Sequence, residues 1–107
     1  MTNFEVRRNC AFAEVVPAGD VVLSSVSALR PAMRDLLRSG VRELVFDLEH
    51  AQMIDSTGIG LLLAAHNSLS AVGGKFSVVR ASEEILQLLR TMRVHQHFSV
   101  SGRTVSQ

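Results

Sequence analysis

Apolar and polar positions along this chain fall into short alternating runs separated by longer runs at helical spacing. Phe4 to Arg8 alternates weakly and predicts a short edge strand. Ala11 to Val16 reads as a second strand, stopped by the turn-forming run Pro17-Ala18-Gly19-Asp20. Leu29, Met33, Leu36 and Leu37 give a first helix its apolar stripe. Ser24, Ser25 and Ser27 offer its N-cap, Pro31 is expected near its start, and Gly40 closes it. Arg42 to Leu48 predicts a central strand, apolar enough to be covered on both faces. A second helix from Ser56 or Thr57 to Val72 puts Ile59, Leu62, Leu63, His66 and Leu69 on one face, and Gly73-Gly74 ends it. Lys75 to Arg80 is a further strand. Ser82 caps a third helix with Glu83 and Glu84 in its first turn and Arg90 and Arg93 near its end, the charge order that the helix dipole favours. Its expected buried stripe is Ile85, Leu88, Leu89 and Met92. Phe98 to Val100 adds a last short strand, and Gly102 to Gln107 is expected to fray.

The resulting order, β-β-α-β-α-β-α with a final strand, needs crossover connections between parallel strands. It predicts an α/β fold with a mixed four- to five-stranded sheet and three to four helices. The 107 residues suffice for one domain, with a core from about residue 4 to residue 100. Apolar residues at 47% and charged residues at 20% are ordinary for a packed domain and exclude a disordered chain. The ten arginines and one lysine are spread along the sequence, and the net charge is +1. That balance argues against nucleic acid as a partner, which needs a concentrated basic face. Cys10 is the sole cysteine, so no internal disulfide forms, and the N-terminus lacks an apolar leader. Both point to the cytoplasm. The apolar stretch Ile59 to Ala65 is far short of the ~20 residues a membrane-spanning helix needs, so no direct membrane insertion is expected.

Candidate chemistry concentrates in Ile54-Asp55-Ser56-Thr57-Gly58-Ile59-Gly60, where an apolar strand passes through a short loop into a helix. A hydroxyl there meets free backbone N–H groups and the positive end of a helix dipole, a setting that tolerates phosphate. Catalytic readings fail on spacing. Aspartic proteases need two Asp-Ser/Thr-Gly copies to share a proton. A serine hydrolase elbow needs Gly where Ile54 stands. Gly73-Gly74-Lys75 lacks P-loop spacing. His95 and His97, two apart and able to share a strand face, have no cysteine or acidic cluster beside them in sequence, so no metal site and no cofactor is assigned. Two readings of the motif remain. Asp55 or Ser56 caps the helix while Gly58 and Gly60 allow close packing, or the hydroxyls serve a function.

The motif and its surroundings resemble the STAS domain, the module of anti-sigma factor antagonists. Phe46-Asp47-Leu48 and the run Ile54 to Gly60 match the family's strand and acceptor loop. Gly19-Asp20 matches its Gly-Glu turn. Leu29-Arg30, Gly40, Leu61 to His66, Gly73-Gly74-Lys75 and Leu88-Leu89 to Phe98 extend the likeness over residues 12 to 98. The resemblance implies a non-enzymatic partner switch. The unphosphorylated protein binds an anti-sigma factor serine kinase, which uses ATP. Phosphorylation of Ser56, with Thr57 as the fallback acceptor, releases it, and a phosphatase resets it. Asp20, Asp55, Ser56, Thr57, Gly58 and Gly60 would form the partner-binding loop. The chain departs from the family at Val21-Val22-Leu23, where many members carry an acidic residue. The resemblance also allows a second role, as a STAS subunit regulating a membrane transporter such as a phospholipid-transport ATPase, or a module in a signalling scaffold.

Overall fold

Residues 4–103 are described in the computed structural model of the protein, and their elements follow the expected order. β1 (Phe4–Asn9) and β2 (Phe12–Pro17) form an antiparallel hairpin, with Cys10 at φ +57° in its two-residue turn. β3 (Glu43–Asp47), β4 (Lys75–Ala81) and β5 (Ser99–Gly102) follow. Their spatial order is β1-β2-β3-β4-β5, with β2 to β5 parallel. α1 (Leu23–Arg38), α2 (Ser56–Ser70) and α3 (Glu83–Thr91) make the crossovers that parallel pairing requires. None of the described helices is long and apolar enough to cross a membrane.

The register explains the core. Ala13, Leu44 and Phe76 stand side by side across three strands, and Val15, Phe46 and Val78 form the next row. These rows are buried beneath Val26, Leu29 and Met33 of α1, Ile59 and Leu62 of α2, and Ile85 and Leu89 of α3, in one continuous cluster. Each such side chain contributes roughly 1.5–3 kcal/mol by leaving water. The alternate positions Glu14, Val45 and Ser77 are only half-buried. The expectation that β3 is covered on both faces is therefore corrected. Its outer face is crossed by charged side chains, with Arg80 bridging Glu14 and Asp47.

Pro31, expected near the start of α1, lies well inside it. The hydroxyl of Ser25 accepts from the N–H of Val22 at 3.0 Å, so the helix begins at Leu23, earlier than the serines suggested. Pro31 is tolerated because it is exposed, leaving the unpaired carbonyl of the preceding turn near water. In α2, Leu63 and His66 are only half-buried, whereas Leu61 and Ala65 are buried, because the helix also packs beside α1. In α3 the stripe is Ile85, Leu86 and Leu89, while Leu88 and Met92 are exposed. His95 lies in a 3-10 turn, Val94–Gln96, with His97 directly after it, not on a strand. Gly102 closes β5 instead of opening a frayed tail, and residues 104–107 lie outside the described residues.

Candidate functional site

Two loops at the ends of β2 and β3 are laid against each other to build the site. Val21 and Ile54 form an isolated parallel bridge. The N–H of Val21 donates to the carbonyl of Met53 at 3.0 Å, and the N–H of Asp55 donates to the carbonyl of Val21 at 3.3 Å. Val21 and Ile54 are both buried, so the chain on either side of them is fixed to the core.

Asp55 is the N-cap of α2. One carboxylate oxygen, Oδ1, accepts from the N–H of Gly58 at 2.9 Å and from the hydroxyl of Thr57 at 2.5 Å. The other, Oδ2, accepts from the N–H of Leu23 at 3.1 Å, tying the start of α1 to the start of α2. The hydrogen bond from Thr57, then those from Gly58 and Leu23, hold this carboxyl below the usual carboxylate range against the opposing effect of burial. Asp20 plays the matching part from the other loop. Its Oδ1 accepts from the N–H groups of Gln52 at 2.9 Å and Met53 at 3.1 Å. Positions 21–23 carry no carboxylate, and Asp20, the residue of the Gly-Asp turn, ties the two loops together.

Ser56 and Thr57 differ sharply. Ser56 opens α2 and is exposed, whereas Thr57 is half-buried with its hydroxyl bound to Asp55. The two glycines differ as well. A Cβ at Gly58 would stand 2.3 Å from the carbonyl oxygen of Val21 and 2.6 Å from the side chain of Ile54, so only glycine lets α2 sit on the bridge. A Cβ at Gly60 meets nothing within 4 Å. Close packing inside the molecule therefore explains Gly58 and not Gly60. One helical turn separates Ser56 from Gly60, and both are exposed.

Two further contributors lie outside the predicted partner-binding loop. Leu23 and Met53, on the paired loops, leave 68% and 58% of their surface in water. An exposed leucine and methionine next to the Ser56 turn are fit to be covered by another surface. Asp47 is the second. It is 1% exposed, and Arg80 reaches it with Nη2 at 2.5 Å and Nε at 2.9 Å. Arg80 adopts φ +55° at an irregularity in the pairing of β4 with β5. The second oxygen of Asp47 accepts from the N–H of Glu49, fixing the first residues after β3. Burial alone would raise this carboxyl, but the bonds from Arg80 and Glu49 outweigh it and lower it. An acidic residue inside an apolar strand was a legible signal of such a partner.

The arrangement presents a hydroxyl on a rigid turn. The carboxylate beside it is committed to three donors, which leaves it poorly placed to act as a base. Among the described residues no group of three or more metal-ligating side chains converges. His66 and His97 approach to 6.1 Å between ring centroids, beside Phe98 and away from this loop.

A protein-family model described as the STAS domain matches residues 3–106. The anti-sigma-B factor antagonist of Staphylococcus aureus is 26% identical over 86 residues, which cover 80% of each chain. Among solved structures, an anti-sigma-factor antagonist (STAS) domain protein from Planctomyces limnophilus aligns with a TM-score of 0.83 at 14% identity, over 96% of this chain and 92% of the other. The Bacillus cell fate determinant SpoIIAA in its phosphorylated form aligns with a TM-score of 0.74 at 17% identity, over 91% and 89% of the two chains. At these identities the structural likeness speaks for the fold.

Proposed function

The chain belongs to the STAS domain family, and from that premise we propose that it is an anti-sigma factor antagonist switched by phosphorylation of Ser56. In this reading the unphosphorylated protein binds an anti-sigma factor that is also an ATP-dependent serine kinase. Phosphate transfer to the Ser56 hydroxyl releases it, and a phosphatase restores the binding form. The Staphylococcus aureus relative named as an anti-sigma-B factor antagonist supports the general role.

The observation that carries the choice of residue is the contrast at the start of α2. Ser56 is exposed, while the hydroxyl of Thr57 is spent on Asp55. A kinase reaching this turn meets Ser56 first, and using Thr57 would break the cap of α2. The open space around Gly60 leaves a smooth helical surface beside the acceptor, and Leu23 and Met53 border it with apolar contact area.

Phosphorylation adds about −1.5 to −2 charges and three acceptor oxygens. The N–H groups and dipole of α2 accept this charge locally without rearrangement. A partner that buried the neutral hydroxyl among apolar contacts would have to desolvate a dianion instead. A mismatch of about 3 kcal/mol weakens binding roughly a hundredfold. Ser56→Glu should imitate that loss, and Ser56→Ala should keep partner binding while taking up no phosphate. Titration of the purified kinase with the two variants tests this, and equal affinities would contradict it.

A further inference from the structure

The loop that delivers Ser56 is held from a third side, by the far end of the chain. After β3 the backbone turns, with the N–H of Ala51 donating to the carbonyl of Leu48 at 3.1 Å. The carbonyl oxygens of Glu49, Ala51 and Leu48 lie 2.7, 3.0 and 3.2 Å from one nitrogen, Nη2, of Arg103. Arg103 stands just past β5, where its own N–H donates to the carbonyl of Ala81 at 3.2 Å. More than fifty residues therefore separate this guanidinium from the carbonyls it gathers.

We propose that Arg103 is a positioning residue for the acceptor loop, and that this one side chain, just past β5, thereby sets how Ser56 is presented. The physical case rests on the division of labour along residues 48–55. Arg103 satisfies the carbonyls of the first half, and Asp20 satisfies the N–H groups of Gln52 and Met53 in the second. A cation on clustered carbonyls and an anion on successive N–H groups each suit the partial charge they meet. His50, Gln52 and Met53 are exposed and bring the loop little burial of their own. Polar anchors must then fix its path into the Asp55 cap. Without the guanidinium, the carbonyls of Glu49 and Ala51 would turn to water, that of Leu48 keeping the N–H of Ala51, and the first half of the loop would lose its fixed register. The Val21–Ile54 bridge and the core below would remain.

Hydrogen–deuterium exchange on the full chain tests this without any partner. In Arg103→Met, peptides covering residues 48–55 should exchange about tenfold faster, the effect expected when a charged anchor is lost. Peptides from α1 and α3 should keep their rates, and Arg103→Lys, which retains a cation, should restore most of the protection. Unchanged exchange over 48–55, or an equal rise in every element, overturns the proposal. A second readout rests on the Ser56 reading. With a purified kinase that labels Ser56, Arg103→Met should lower kcat for phosphate transfer more than it changes KM, with recovery in Arg103→Lys. An unchanged kcat overturns the positioning role. If wild-type Ser56 takes no phosphate, the acceptor reading fails, and the exchange rates alone decide the role of Arg103.

Discussion

Ser56 and Thr57 carry the same functional group one bond apart in sequence, yet their surroundings give them separate tasks. Thr57→Val removes a hydroxyl bound to the Asp55 carboxylate and should cost about 1 kcal/mol in denaturant unfolding. Ser56→Ala removes an exposed hydroxyl and should stay within about 0.5 kcal/mol of wild type. The reverse order would make Ser56 the structural residue. Asp55 and Asp47 both have carboxyls lowered by their donors. Their stabilisation is full above about pH 4, the unfolded range, and is lost as the pH falls through their lower folded values. Unfolding midpoints should therefore drop on acidification below about pH 4, and Asp55→Asn should make the drop shallower while lowering the midpoint at neutral pH. The cap of α2 was legible in the sequence, because an Asp followed by hydroxyls and glycine ahead of a helical run has the pattern of an N-cap. The partners of Asp20, Asp47 and Arg103 were not, because they lie about 30 to 55 residues away.

At the scale of elements, α2 is fixed by a contact at one glycine and left bare at another. Gly58→Ala drives a methyl group into the Val21 carbonyl and the Ile54 side chain, and should destabilise the protein by about 1–3 kcal/mol. Gly60→Ala enters open space in a helix, and should stabilise it by up to about 1 kcal/mol. If the face beside Ser56 is the kinase-binding surface, larger substitutions at Gly60 such as Gly60→Gln should weaken kinase binding without loss of melting temperature. The helices and central strands were legible because they have an apolar pattern and a terminating signal, such as Gly40 at φ +104° after α1. The start of α1 was misplaced because Ser25 caps from inside the helix by accepting from Val22. The stripe of α3 shifted to Leu86 because β5 ends beneath it, where the Leu86 side chain approaches Gly102. Neither fact can be read from a local window.

At the scale of the molecule, three helices form one core with the strand rows of a five-stranded sheet, and the Ser56 turn stands at the ends of β2 and β3. The strand rows that build the core are remote from the Ser56 hydroxyl. On the proposed reading, a phosphate at this place would alter a surface and leave the packing intact, as a reversible binding switch requires. The phosphorylated protein should therefore melt close to the unmodified one while its affinity for the kinase falls roughly a hundredfold. The outer face of β3 was the main feature misjudged from sequence, because Val45 read as covered but lies beside Glu14, which pairs with Arg80 as Asp47 does. The most direct test of the account is to incubate the protein with ATP and its partner kinase and to locate the phosphate by mass spectrometry. The account predicts one phosphate, on Ser56, abolished in Ser56→Ala and retained in Thr57→Val; phosphate on another residue, or none at all, would contradict it.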